Sequence, residues 1–282
     1  MIATSRPGDL PPDTDLLVHP VYLAGRGDTA TVYEALCDAR GWGKATTATG
    51  LMFTSPRQDA QVAYMPESRY GGWKAVQYGE PLGTPIWWAT FSRNTPAEIT
   101  SAFTTALAEG LPSNHRDFLH GDPHHRPISP AGALAERGWQ TDDTAMYVYQ
   151  RSPDSHAYFA LRKGHLDDYM ELEGEGPAQW TMYGCVDHVN GERWHADFTS
   201  ATPLYLVQAA VIALSSTEPV ERPLSGIPER NLPYVTVTPV GADTDQLRSA
   251  ALARTPHTPQ AGATPPISSV ASLPAPGPSR RR

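Results

Sequence analysis

The chain has 282 residues, 40% of them hydrophobic, and a formal net charge of -8. That is enough apolar material for one large or two ordinary domains, and its acidic balance excludes a generally basic chain waiting for a polyanion. Two cysteines exclude a disulfide framework, and no apolar run approaches the roughly 18 residues that cross a membrane.

Residues 1–15, "MIATSRPGDLPPDTD", are rich in Pro, Asp and Thr, lack an apolar leader core and are predicted to be disordered. A first unit follows over 16–112. It opens with a short helix in "TATVYEALCDARGW" and continues with strands in "TATGLMFTS", "QVAYMPE" and "WKAVQYG", parted by the turn signals "SPRQD" and "ESRYGG". Trp87, Ala89 and Phe91 then alternate as the buried face of another strand. Thr95 and Pro96 read as N-cap and first helical residue, with Glu98 completing a capping box. Ile99, Ala102, Phe103, Ala106 and Leu107 fall on one helical face, and Gly110 is a stop.

Residues 113–130 form a His-rich linker carrying His115, Asp117, His120, Asp122, His124 and His125. Such density can hold zinc, but the spacing fits neither HExxH nor a zinc finger, so a polar connector without metal is expected. A second unit over 131–220 repeats the plan, with a helix in "SPAGALAERGW" and strands in "AMYVYQRS", "HAYFALRK" and "QWTMYG". The acidic run Asp167, Asp168, Glu171, Glu173 and Glu175 reads as a solvated loop. Residues 221–240 read as an extended segment with a possible edge strand at Asn231–Pro239, and 241–282 as a disordered Pro/Ala/Ser/Thr tail.

The two units spell similar text. At an offset of 107, Trp73 meets Trp180, Trp87 meets Trp194, Phe91 meets Phe198 and Thr95-Pro96 meets Thr202-Pro203. Upstream, at an offset of 97, Gly41-Trp42 meets Gly138-Trp139 and Ser55-Pro56 meets Ser152-Pro153. The expected fold class is therefore α+β: a tandem duplication of a small antiparallel sheet of about four strands, each followed by a C-terminal helix.

These residues, above all "WKAVQYGEPLGTPIWWATFSRNTPAEITSAFTTALA", resemble the domain of unknown function 317, a family met mainly in filamentous actinobacteria and often in tandem. The likeness covers Gly41–Leu111 closely. Over Gly138–Ser216 it keeps the Trp, Ser-Pro and Thr-Pro positions without the "EPLGTP" turn. It implies no catalytic residues. Two such units are also similar in topology to the Whirly and transcriptional-coactivator folds, which bind single-stranded DNA on their sheets; by analogy of fold this implies a DNA ligand.

The chain has no P-loop, GxGxxG or GxSxG motif and no nucleophile beside a base, so neither enzymatic activity nor a cofactor is expected. If Trp87, Ala89 and Phe91 face the core, Trp88 faces away, as does His195. Lys74 shares a face with Tyr78, and the outward set of the second unit is Tyr147, Tyr149, Tyr158 and Arg162, with Tyr183 a further candidate. Aromatic rings interleaved with cations make a platform for unpaired bases. The expected nucleic-acid surface is thus Lys74, Tyr78 and Trp88 with Arg57, Arg69 and Arg93, extended by Tyr147, Tyr149, Tyr158 and Arg162. The first unit is expected to dominate. It holds 7 Lys/Arg against 8 Asp/Glu over residues 19–112, where residues 113–220 hold 7 against 15. The alternative is a protein-interaction or self-association module, a homo-oligomer included, that uses the same surface. Cys37 and Cys185 read as free buried thiols of a cytoplasmic protein that does not enter membranes.

Overall fold

The computed structural model describes residues 10–240 apart from 40, 49, 68–70, 82, 112–128, 165–166 and 188–192. Arg69, nearly all of the His-rich linker and the C-terminal tail lie outside the described residues.

Alternating apolar residues bounded by Gly and Pro turns give strands, and here they assemble into one antiparallel sheet. The first half runs α1 (Ala30–Asp38), β2 (Gly43–Thr47), β3 (Gly50–Thr54), β4 (Ala60–Met65), β5 (Gly72–Tyr78), β6 (Pro85–Ser92) and α2 (Ala97–Gly110). The second runs α3 (Pro130–Glu136), β7 (Gln140–Asp143), β8 (Tyr147–Arg151), β9 (Ala157–Arg162), α4 (Asp168–Glu173), β10 (Trp180–Gly184), β11 (Trp194–Phe198) and α5 (Leu204–Leu214). The strand order β2-β3-β4-β5-β6-β11-β10-β9-β8-β7 joins two five-strand meanders through their last strands. Each half therefore has five strands rather than about four. The extra ones, β2 and β7, are exposed edge strands with no apolar alternation to announce them.

Matching positions share unusual geometry. Gly41 and Gly138, each just past a helix, have φ of 83° and 80°. Gln58 and Ser155 both adopt left-handed conformations, at 59° and 65°. They sit in turns where Ser55 or Ser152 accepts, on its hydroxyl, the N–H of Ala60 or Ala157 at 3.0 and 2.9 Å. The Ser-Pro signature marks a turn, and the serine ties it shut.

At the seam, β6 and β11 pair antiparallel with Phe91 opposite Ala196, Thr90 opposite Asp197 and Ala89 opposite Phe198. Thr95 donates its hydroxyl to the His195 carbonyl at 3.0 Å, and Thr202 donates to the Trp88 carbonyl at 3.3 Å. The Trp88 N–H donates to Thr199 Oγ1 and the His195 N–H to Ser92 Oγ. Every contact thus has a counterpart 107 residues away, the reciprocal pattern of an isologous interface. This corrects the capping expectation. No side chain caps α2 or α5, because Thr95 and Thr202 are drawn to the opposite strand.

Beneath the seam, Phe91, Phe103 and Phe198 meet at centroid separations of 5.2, 5.6 and 5.8 Å. Trp73, Ala75, Trp87, Trp194, Met182 and Phe159 face the same side, where α1, α2, α3 and α5 cover them in a continuous core.

A separate three-stranded sheet, β12-β1-β13, uses β1 (Asp15–His19), β12 (Val220–Pro223) and β13 (Thr236–Pro239). The segment expected to give one edge strand supplies two. The expected disorder of residues 1–15 is likewise corrected for Leu10–Asp15: Leu224 and Ser225 donate their N–H groups to the Thr14 and Pro12 carbonyls. Arg222, buried on β12, grips Glu98 of α2 through two bonds of 2.8 and 2.6 Å. Glu98 therefore holds the small sheet instead of completing a capping box. Cys185 is buried as expected, whereas Cys37, on the outer side of α1, is exposed.

Phe198→Ala removes a fully buried ring from the shared cluster and is expected to cost about 3–5 kcal/mol in denaturant unfolding. Arg222→Met, which unpairs the one-third exposed Glu98, is expected to cost about 1–2 kcal/mol by the same measurement.

Candidate functional site

One face of the ten-stranded sheet carries the helices. On the other, α4 packs on β6. Because neighbours directly across a ladder share a face, the pairing register lays out this open face as rows. One row runs Arg151, Tyr158, Tyr183, His195. The next runs Tyr149, Ala160, Thr181, Asp197, Thr90, Lys74. Tyr147 lies opposite Arg162 beyond them.

In the second half the rings are half-buried and stacked on each other. Tyr158 and Tyr183 lie 4.8 Å apart with planes 12° from parallel, and Tyr147 and Tyr149 lie 5.4 Å apart. Burial and the neighbouring phenols push the Tyr183 hydroxyl up to about 12, and burial also raises Tyr149. Both stay protonated and can donate. Arg151 is tied to Asp142, Ser155 and Gln140.

Trp88 lies on the open face, as the alternation requires, yet the residue is only 9% exposed. The expectation of a solvent-facing indole is corrected, and the reason is α4. Asp167 caps this helix by accepting the N–H groups of Tyr169 and Met170, and Gly174 ends it at a φ of 75°. The Trp88 indole N–H donates to the Glu171 and Leu172 carbonyls, both at 3.1 Å. Glu171, 1% exposed, accepts from the Gln179 N–H and from the N–H and hydroxyl of Ser200. One member of the acidic run is thus an anchor; Asp167, Asp168, Glu173 and Glu175 remain exposed around it.

Lys74 stands over the Trp88 ring at 5.7 Å, and burial lowers its pKa. Tyr78 reaches Gln61 at 3.4 Å. Arg57 pairs with Asp59, and Arg93 donates to the Pro66 carbonyl near Glu67. The structure gathers Lys74, Trp88 and the four tyrosines on one face and leaves Arg57 and Arg93 in flanking turns. Sequence reasoning missed Asp197 and its partner Thr181, which donates at 2.8 Å, and missed α4; Asp167 and Gly174, a cap and a stop six residues of helix apart, are the signal that could have found it. Burial raises the Asp197 pKa above the usual carboxylate range, only partly offset by the Thr181 bond and His195.

On the helix side, a cavity of about 130 Å³ lies among Tyr22, Arg26, Asn94, Cys185, Trp194 and Asn231. Burial pushes the Cys185 thiol up, away from nucleophilic use. Among the described residues no group of three or more His, Cys, Asp or Glu is placed to hold a metal ion, and no helix is long and apolar enough to cross a membrane.

The family model of a domain of unknown function, SPDY (DUF317), matches residues 54–112 and again residues 151–220. Each match begins at the last residue of the second strand of its meander, β3 or β8, and extends past the helix that follows the seam strand. Both halves of the sheet are therefore similar to this one family. No curated protein and no solved structure gave a match.

Glu171→Ala orphans buried donors and is expected to cost about 1–3 kcal/mol and to speed hydrogen exchange at the Trp88 indole. Because folding raises the Asp197 pKa, its charge opposes folding above that folded value. The opposition fades as pH falls through the window down to the ordinary carboxylate range. Asp197→Asn, which can still accept from Thr181, is expected to raise Tm at pH 7 and to lose that advantage near pH 4.

Proposed function

We propose that this chain, whose two halves match one family model, is a non-enzymatic cytoplasmic interaction module that docks a protein partner on the open face of β8–β11. The observation that carries this reading is the self-stacked tyrosine cluster. With Tyr158 lying on Tyr183, the face offers ring edges, phenol hydroxyls and guanidinium groups rather than free ring planes. Protein interfaces favour Tyr, Arg and Met, whereas a base needs an open ring face on which to stack. Met146, beside Tyr147, and Tyr169 and Met170 on α4 add exposed apolar surface. Trp88, the ring expected to stack a base, lies instead under α4, a helix that carries exposed carboxylates.

A tandem duplication accounts for the two family matches, the reciprocal seam and the paired left-handed turns. A Whirly-like sheet that binds single- or double-stranded DNA is the second reading, and Lys74 favours it. This half-buried cation bridges no carboxylate among the described residues and is free to meet a phosphate. The same face could also meet a second copy of the chain.

The deciding comparison is cross-linking of a captured partner to wild type and to a Tyr158→Ala/Tyr183→Ala variant, beside light scattering and DNA mobility shift at about 50 and 200 mM salt. Cross-links at the tyrosines, about tenfold weaker capture by the variant and no shifted DNA are the expected result. A salt-sensitive DNA shift abolished by Lys74→Ala contradicts the proposal, and a stable dimer cross-linked through the tyrosines replaces the foreign partner with a second copy.

A further inference from the structure

The seam relates two seats on the open face, and only one carries α4. Over Trp88, α4 supplies two backbone carbonyls to the indole N–H, while the Glu171 carboxylate binds the backbone and hydroxyl of Ser200. The positions that answer to these across the seam are His195 for Trp88, Tyr183 for Val76 and Arg93 for Ser200. There the His195 side chain is 42% exposed and the Arg93 side chain 50% exposed. His195 is held in place through its backbone, by Ser92 and Thr95, while its half-exposed imidazole sets Nε2 4.0 Å from Asp197 Oδ2, beyond hydrogen-bond distance. Arg93 spends one guanidinium nitrogen on Pro66 and Glu67; its remaining N–H groups find no partner among the described residues.

The chemistry at the second seat is therefore that of the first with the charge moved to the receptor. An imidazole N–H replaces the indole N–H, and a guanidinium replaces the hydroxyl that receives a carboxylate. Asp197, hydrogen-bonded to Thr181, and the exposed Glu67 are the carboxylates nearby. We propose that the His195 seat takes a short acidic segment of a partner protein. A backbone carbonyl of the segment accepts from His195, a Glu or Asp side chain forks onto Arg93, and an apolar side chain lies against Tyr183. This rests on the protein-docking reading of the face and names the chemistry of what docks.

The test uses a labelled peptide with the α4 sequence, "DDYMELEGEGP", titrated into the full chain by fluorescence anisotropy while the His195 imidazole is followed by NMR. Wild type is expected to bind the peptide and to shift the His195 resonances. Arg93→Glu, or a peptide whose glutamates are glutamines, is expected to bind about tenfold more weakly, and Cys37→Ser, on the helix side of the sheet, as wild type does. Absent binding, unmoved His195 resonances or equal binding by Arg93→Glu overturns the inference; the last result means that the peptide has displaced α4 from Trp88 instead. A partner that cross-links to the tyrosines while the peptide fails overturns this seat alone. Peptide binding without any partner on the tyrosines overturns the broader reading alone.

Discussion

The pairing of β6 with β11 is the constraint on which the rest of the structure depends. Neither five-strand meander buries its last strand by itself, and half the sheet with its two helices hides less apolar area than the joined core. Joined edge to edge, the two strands lose their open edges, and Phe91 and Phe198 come together above Phe103. The threonines reinforce the join: Thr95 and Thr202 give up helix capping to reach the opposite strand. Helices α2 and α5 then follow each seam strand directly and must pack side by side on the shared core.

The seam is reciprocal, but the open face is not. The second half carries an insertion that folds as α4 and closes over the aromatic residue of the first half, while His195 stays reachable at the related place. Covering Trp88 removes the strongest stacking ring from solvent and seats it against an acidic helix. What remains open is tyrosine-rich, partly self-satisfied and fringed by arginines, a composition suited to another protein's surface. A difference in one connection between similar halves is thus enough to separate a closed side from an open one.

Much of this was legible in the sequence because core demand writes a period of two into a strand. Trp87 and Trp88 could be assigned to opposite faces from spacing alone, and so could the tyrosines of β8 and β9. The helix α2 followed from its apolar spacing and its Pro and Gly bounds, α5 from the repeat of that plan, and α1 and α3 from the short helical stretches before the strands. Other features left no local trace. The edge strands "GKATT" and "QTDD" are exposed throughout, so no buried side imprints a pattern on them. Glu171 looks like any carboxylate in an acidic run until Ser200 and Gln179 arrive from distant positions to bind it. The diversion of Thr95 and of Glu98 has the same origin, since each finds a better partner in tertiary structure, the His195 carbonyl and Arg222, than its own helix offers.

The most direct test of the seam's role is native-state hydrogen exchange read at single residues. If the β6–β11 join holds the fold together, the N–H groups of Trp88, His195 and Thr199, all bonded across it, exchange in the slowest class. Their opening free energy then equals that of global unfolding, and both halves melt in one transition. Exchange of these three at a lower free energy, while β3–β5 or β8–β10 keep their protection, contradicts the account and makes the two halves independent folding units.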